Sequence, residues 1–516
     1  MTTSDALLQP LRLKRLTLKN RVMSTAHAPA YVEDGLPRQR YQLYHEEKAK
    51  GGLALTMFGG STTTAPDSPS VFGQINAATD AIIPWFQQLA EAVHRHDCAL
   101  MCQITHMGRR TCDDVADWLP TLAPSPVRER QHRSFPKAIE LHEIKRVLAG
   151  YAAGARRCRE GGLDGVEVIA WGHLVDQFLS PAINRRTDAY GGSIENRCRF
   201  ALEVFGAIRE AVGPDFVVGI RLTGDEHVPH GRDPDECAEI ARILAGSGLI
   251  DFFNVVAGTL GTDADVAYTI PSMGHRYGAF LGLAKRIREA TGKPVFQASR
   301  IPDLSTARWA LEQGFVDMVG MTRAFIADPE HIRKLESGRD AEIRPCVGTG
   351  YCVDRVLKGQ DALCAHNVAT SRETTSCVGC RSMKRPSCSA SPNLQHCNTP
   401  AGAGSDARPG IWRMPPERRE PGHDGAHPLV RDVRGLLVGT GVHGTDARVR
   451  AVQSRGPTRH LSHFRERSGL AQQPAVLRRF RLAVRTCRDR HTVAPARAIA
   501  NTGAVRGRRH LPVHRD

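Results

Sequence analysis

Residues 294–329, PVFQASRIPDLSTARWALEQGFVDMVGMTRAFIADP, decide the fold. Two short apolar runs, PVFQASR and VDMVGMTR, flank an amphipathic stretch at Leu304–Gln313. Strand, helix, strand in that order is the sequence sign of a parallel α/β sheet. The unit recurs upstream. Further apolar runs begin near Arg21 (RVMSTAH), Leu53 (LALTMFG), Cys98 (CALMCQITH), Asp164 (DGVEVIA), Phe216 (FVVGIRL) and Asp251 (DFFNVVAG). Amphipathic stretches lie between them at Ile82–His96, Ile144–Glu160, Asn196–Val212, Pro234–Gly246 and Phe280–Thr291. Eight strand–helix units over about 330 residues predict an α/β fold of the (β/α)8 TIM-barrel type. A doubly wound sheet is disfavoured, because no glycine-rich dinucleotide turn follows the first strand.

In such barrels the chemistry sits at the C-terminal ends of the strands. Polar residues gather there: Ser24, Thr25 and His27; Gln103, Thr105 and His106; His173; Arg221; Ser299 and Arg300; Thr322 and Arg323. One arginine at a strand end is ordinarily a salt-bridge residue. Three, on the fifth, seventh and eighth strands, point to anion binding. The loops after the last two strands are the usual phosphate site of the fold, and arginine pairs bidentately with phosphate.

Composition divides the chain. It has 516 residues, a formal net charge of +16 and 14 cysteines. Residues 371–516 hold 26 Arg and one Lys against ten Asp and Glu, whereas residues 1–370 hold 43 basic and 44 acidic residues. The body is therefore neutral and the positive charge belongs to the tail. No apolar run is long enough to span a membrane, and the N-terminus lacks a signal-peptide pattern. The expectation is a cytoplasmic protein with free or metal-bound thiols.

Four blocks then carry a family resemblance. PAINRRTDAYGGSIENRCRF (Pro181–Phe200) is similar to the long signature of the Old Yellow Enzyme group of NADH:flavin oxidoreductases. LKNRVM (Leu18–Met23), QITHMGRR (Gln103–Arg110) and VGMTRAFIADP (Val319–Pro329) resemble other blocks of that group, in the same order. The wider spacing resembles the subgroup of 2,4-dienoyl-CoA reductase and trimethylamine dehydrogenase. The blocks HAPAYVEDG, WGHLVDQF and CVGTGYCVDR look closest to the N-methylproline demethylase type.

The resemblance implies an FMN-dependent oxidoreductase moving a hydride between an organic substrate and the flavin. Ser24, Thr25, Ala26 and Gly59 would line the flavin, and Gln103 would bond its pyrimidine edge. Arg221 would stand where negative charge gathers on reduction. Ser299, Arg300, Gly320 and Arg323 would hold the phosphate. The dienoyl reductase pattern has a tyrosine in the loop after the fourth strand; here that loop offers His173, which can exchange a proton near neutral pH. Asp176 would orient it, and His27 is a second catalytic candidate. Asp263, Asp265 and Tyr268 could form an acidic, aromatic bowl for an alkylated ammonium. Oxidative demethylation of an N-methylated amine or amino acid is the favoured reading. An enoate or 2,4-dienoyl-CoA type reductase using NAD(P)H and a degenerate, non-catalytic barrel stay open.

Beyond the barrel, Cys346, Cys352 and Cys364 resemble the family's iron–sulfur segment, but Thr349 stands at the second cysteine position. Three thiolates could hold a [4Fe–4S] cluster only with another fourth ligand. Cys377 and Cys380 add a weak CxxC. The family's FAD/NAD(P) site is not recognisable: the formal GTGVHG match at Gly439–Gly444 opens no apolar helix. The domain reading is a barrel over 1–340, a cysteine segment over 341–370, and an Arg-rich tail over 371–516 that is disordered or out of frame. The expected partners are a small-molecule substrate and an electron acceptor or NAD(P)H. Nucleic acid, the alternative use of a basic tail, is disfavoured, and a homo-oligomer stays open.

Overall fold

The computed structural model describes residues 5–68, 71, 73–112 and 119–373. The expectations for Cys377, Cys380, Gly439–Gly444 and the rest of the Arg-rich tail lie outside the described residues. Eight parallel strands close into a barrel: β1 (Val22–Ser24), β2 (Leu55–Thr63), β3 (Ala99–Thr105), β4 (Gly165–Ala170), β5 (Val217–Thr223), β6 (Phe252–Val256), β7 (Val295–Gln297) and β8 (Met318–Gly320). Their order around the barrel follows the chain, and β8 pairs with β1 to close it. Each apolar run of the sequence is one of these strands.

The layer outside the strands comprises α1 (Gln39–Lys50), α2 (Ile83–His94), α3 (Leu141–Glu160), α4 (Ile194–Val212), α5 (Pro234–Gly246), α6 (Leu281–Thr291), α7 (Leu304–Glu312) and α8 (Thr322–Ala327). Several starts are written in the sequence. The side chains of Ser193, Asp233 and Asp303 accept from backbone N–H groups in the first turns of α4, α5 and α7. Apolar side chains such as Phe200, Phe205, Ile208, Ile240 and Leu244 bury one face of these helices against the strands.

A separate apolar cluster fills the lower barrel. Met23, Leu55, Met57, Met101, Phe252, Phe296 and Met318 pack with Leu13 and Leu18 of an N-terminal hairpin, Leu11–Leu13 with Leu16–Leu18. The Phe252 and Phe296 rings stack with centroids 4.6 Å apart. Gly219 on β5 makes room for them: a Cβ there would lie 2.1 Å from the Phe252 ring. With its lower end filled, the barrel leaves the upper, C-terminal end as the place for a site.

One buried ionic network ties the upper loops together. Arg232 is fully buried, with Nη2 2.5 Å from Asp176 and Nε 3.1 Å from Glu226. Ser180 donates to the other Glu226 oxygen, at 2.5 Å. Removing the arginine strands two carboxylates away from water. Arg232→Met is expected to destabilise the fold by about 3–5 kcal/mol, read as a lowered urea midpoint. A loss under about 1 kcal/mol would show that water reaches these carboxylates and that the network is not a stability determinant.

Candidate active site

Four adjacent strands present one polar layer. Gln103 on β3 lies in register with Glu167 on β4, and Arg221 on β5 with Asn254 on β6. Glu167 is fully buried and accepts from Gln103 Nε2 at 2.6 Å and from Asn254 Nδ2 at 2.8 Å. Burial pushes the Glu167 carboxyl up; the Arg221 charge and the two amide donors pull it back down. Because the Gln103 amide nitrogen serves Glu167, its carbonyl oxygen is the atom available to the cavity.

Above this layer opens a cavity of ≈ 240 Å³. Gln103, Arg221, Ser299 and Arg323 line it from the strand ends, together with Thr25 and Ala26. Among the described residues, Arg221 Nε and Nη1 and Arg323 Nη1 are buried without hydrogen-bond partners. Burial lowers the pKa of both guanidinium groups, as expected for cations lacking a close counter-ion. Arg221 also lies over the Trp171 ring, 5.5 Å from its centroid. A smaller adjoining cavity is lined by Arg300, Gly320 and Arg323. Arg300 holds a left-handed φ of 58° and donates to the carbonyls of Met273 and His275. A Cβ at Gly320 would meet Ala298 Cβ at 2.5 Å and Thr25 Cγ2 at 2.8 Å.

Two of the expected flavin-lining residues face elsewhere. Ser24 is buried and its hydroxyl takes Lys48 Nζ at 3.4 Å. Gly59 sits in the irregular middle of β2 at φ 96°, with its N–H on the Tyr41 hydroxyl at 2.9 Å. Its neighbours Gly60 and Ser61 line the cavity instead.

The three catalytic candidates separate. His27 lines the cavity, but both ring nitrogens are engaged, Nδ1 with Thr25 O at 2.9 Å and Nε2 with the Tyr44 hydroxyl at 2.7 Å. A carbonyl can only accept, so Nδ1 carries the proton and Tyr44 donates to Nε2. Burial, reinforced by the Lys48 charge, lowers the His27 pKa to about 3. His173 is buried behind the cavity wall, with Nδ1 on the Thr105 hydroxyl at 2.9 Å, and burial lowers its pKa well below the usual value. Asp176 does not orient it: its carboxylate accepts from Gly172 N at 2.7 Å and pairs with Arg232.

The expected acidic bowl does not form around the cavity. Asp263 is exposed, and the Tyr268 ring stacks on His227 at 4.3 Å. Among the described residues lining the cavity there is no Asp or Glu. The upper wall is apolar, with Trp171, Leu260, Val266, Ile270, Val353 and Val356, and carries one further cation, Arg110.

The cysteine segment packs on the barrel and supplies part of that wall, through Cys352, Val353, Val356, Leu357 and Ala362. Cys346, Cys352 and Cys364 line one small pocket of ≈ 30 Å³ with Thr349. Burial raises the Cys352 thiol pKa, and Arg323 opposes that rise. Among the described residues no group of three His, Cys, Asp or Glu is placed to hold a single metal ion.

Sequence reasoning missed Glu167 and Asn254, although each is a lone polar residue inside an apolar strand run, which was the available signal. It missed Arg110 in the cavity because that residue follows a turn, where an arginine reads as solvent-facing.

Residues 6–342 match the model of the NADH:flavin oxidoreductase / NADH oxidase family. The chain is 49% identical over 372 residues to a probable N-methylproline demethylase of Rhizobium meliloti, covering 72% of this chain and 55% of that protein. It is 51% identical over 377 residues to a multifunctional alkene reductase/demethylase of Caballeronia cordobensis, covering 72% and 55%. It is 49% identical over 372 residues to an N,N-dimethylglycine/sarcosine dehydrogenase of Chromohalobacter salexigens, covering 72% and 54%. The chain thus spans about half the length of the curated relatives it matches. A closed eight-stranded barrel, a cavity at its C-terminal mouth with uncompensated arginines, and a family match over 6–342 together place this chain in the NADH:flavin oxidoreductase / NADH oxidase family.

Proposed function

We propose that this chain is an FMN-dependent oxidoreductase that demethylates N-methylated amines or amino acids. The observation that carries the reading is the pair of buried nitrogens on Arg221 that have no hydrogen-bond partner among the described residues, in a cavity that Gln103 also lines. A buried cation whose balancing carboxylate, Glu167, makes no direct ion pair with it is costly, and an electron-rich ring edge would satisfy its open nitrogens. Gln103 and Arg221 would hold the pyrimidine side of a flavin, with Thr25 and Ala26 along its edge. Ser299, Arg323 and the close-packed backbone at Gly320 would hold its phosphate, and Arg300 would support that loop through its carbonyl contacts.

FMN, when bound, supplies a two-electron acceptor for hydride. The substrate side balances as follows. The N-methyl carbon loses a hydride, the C–N bond becomes an iminium, and water then yields formaldehyde, the demethylated amine and a proton. An external electron acceptor or NAD(P)+ must restore the oxidised cofactor. The protein favours this by holding the amine unprotonated. A wall of apolar residues with cations and no carboxylate disfavours an ammonium, and only the free amine has the lone pair that expels hydride. Neither His27 nor His173 is needed as a base.

Anaerobic mixing of the flavin-loaded protein with N-methylproline or sarcosine is expected to bleach the flavin and release one formaldehyde per flavin. Unchanged absorbance with every N-methylated amine tested would overturn the reading.

The pH dependence separates substrate from enzyme. Burial lowers the His27 pKa to about 3, and it lowers that of His173 well below the usual imidazole value. The rising limb of kcat/KM should therefore track the ammonium pKa of each substrate, moving when the amine is exchanged. A limb fixed near pH 6.5 for all substrates would instead assign a histidine to proton transfer.

Three thiols and Thr349 do not complete a four-thiolate set, since a hydroxyl is a hard donor that does not replace thiolate on iron. Anaerobically prepared protein is expected to carry far less than four irons per chain, and Thr349→Cys to raise iron and acid-labile sulfide toward four. Four irons in the unaltered protein would show that another ligand completes the site.

A further inference from the structure

We propose that the loop at 124–135, between β3 and α3, is a docking surface for an acidic redox protein, which takes up the electrons that the barrel draws from its substrate. The docking part stands without the demethylase reading; the electron step rests only on the bound flavin in that reading.

The loop holds its positive charge outward. It reads PSPVRERQHRSF, and its one acidic residue is Glu129. Glu129 is buried and turned inward, 3.8 Å from Arg110 and 3.3 Å from His132. Arg128, Arg130 and Arg133 are exposed. The Glu129 N–H donates to Ser134 O at 3.0 Å, so Arg130 and Arg133 share one closed turn. Arg109 fastens the chain beside it, donating to Val127 O at 2.8 Å and Arg128 O at 3.1 Å. A fourth exposed arginine, Arg185, joins the loop through its backbone, whose N–H donates to Ser125 Oγ at 2.9 Å. Among the described residues the ion pairs of this loop are those of Glu129, and none of the four exposed arginines makes one. Like charges pinned together repel one another, and an acidic partner surface relieves that repulsion.

Two further observations choose the partner. Phe135 is 71% exposed, and the Arg128 guanidinium lies over its ring, 4.8 Å from the centroid. Arginine with an exposed aromatic ring, and no lysine in the loop, is the composition of a protein interface. Nucleic acid draws on cations alone for its phosphates, and the ring would stay uncovered. The second observation is place. Arg110 lines the cavity, and Glu129 stands directly behind it, so the turn lies one side chain outside the cavity wall. A partner seated there is close to where a flavin would lie. Small, charge-steered contacts are the kind that electron carriers use. The electrons balance. Hydride from the substrate leaves two electrons and a proton on the flavin; two one-electron acceptors each take one electron, and the proton passes to water.

The probes are soluble cytochrome b5, which is acidic, and cytochrome c, a basic haem protein with the same one-electron chemistry. Binding is read by calorimetry. Electron transfer is read as haem absorbance after anaerobic mixing with full-chain protein whose flavin has been photoreduced. Cytochrome b5 is expected to bind at least about tenfold more tightly than cytochrome c, and to lose about tenfold between about 20 and about 200 mM salt. Arg130→Glu with Arg133→Glu should weaken cytochrome b5 binding, and slow its reduction, about tenfold or more. Arg12→Glu with Arg15→Glu makes the same charge change at two exposed positions of the N-terminal hairpin. It should alter each quantity less than about threefold. The basic segment beyond residue 370 is common to both variants, so their difference reads the loop. Equal effects of the two double variants overturn the proposal, as does equal binding of the two cytochromes. Weakened binding with an unchanged reduction rate overturns the electron step. Loss of duplex DNA binding in the loop variant, with cytochrome b5 binding intact, would assign the surface to nucleic acid instead. Should the reversed-charge loop variant lose its flavin, Arg130→Gln with Arg133→Gln decides, with a smaller loss in the same direction. Photoreduction supplies the electrons, so failure of every N-methylated amine to bleach the flavin would sink the demethylase reading and leave this test intact.

Discussion

The upper half of this barrel is organised around one difficulty, a cation buried at its mouth without a touching counter-ion. Arg221 would be expensive to bury alone. Its balance comes from Glu167, one strand away, which closes no ion pair with it within 4 Å among the described residues. Glu167 in turn would be expensive without donors, and Gln103 supplies one from the neighbouring β3 and Asn254 another from β6, two strands away. Four consecutive strands are therefore coupled through one polar layer, and parallel register sets its geometry. An arrangement of this kind is oriented before any ligand arrives, which is what electrostatic preorganisation requires.

A second charge network sits in the loops and does different work. Asp176, Arg232, Glu226 and Ser180 pair with one another, although among the described residues Arg232 Nη1 has no hydrogen-bond partner. The contrast is informative. Charges that hold the fold are closed on each other at 2.5–3.1 Å. Nitrogens that face the cavity, on Arg221 and Arg323, are left open. The distinction also explains why His173 and Asp176, three residues apart, do not form a pair. Asp176 turns to Gly172 N and Arg232, whereas the His173 ring turns back to Thr105.

The barrel was legible in the sequence because its strands are buried on both sides and read as unbroken apolar runs. Gln103, Arg221, Ser299 and Arg323 were legible because strand ends are where this fold places chemistry. What sequence could not show was side-chain direction. Ser24 and Thr25 are neighbours, and alternation sends one to Lys48 and the other to the cavity. Gly59 and Gly60 differ likewise, since the irregularity in β2 decides which of them faces inward. Helix α1 was missed for a related reason. Its sequence, QRYQLYHEEKAK, is polar, and its buried face is made of Tyr41, Tyr44, His45 and Lys48 rather than aliphatic residues.

The cysteine segment looks separable in sequence, but its physical attachment says otherwise. Tyr31 donates to Ala362 O, Arg40 pairs with Asp361 at 2.5 Å, and Asn367 donates to Ile326 O at 3.0 Å. These contacts lay the short helix Tyr351–Leu357 along the cavity, where Val353 and Val356 become part of its wall. The same helix carries Cys352, whose thiol feels Arg323 from the other side. A change at the thiols therefore acts on two surfaces at once, the charge environment of Arg323 and the shape of the cavity. The segment is thus a structural wall of the cavity through Val353 and Val356.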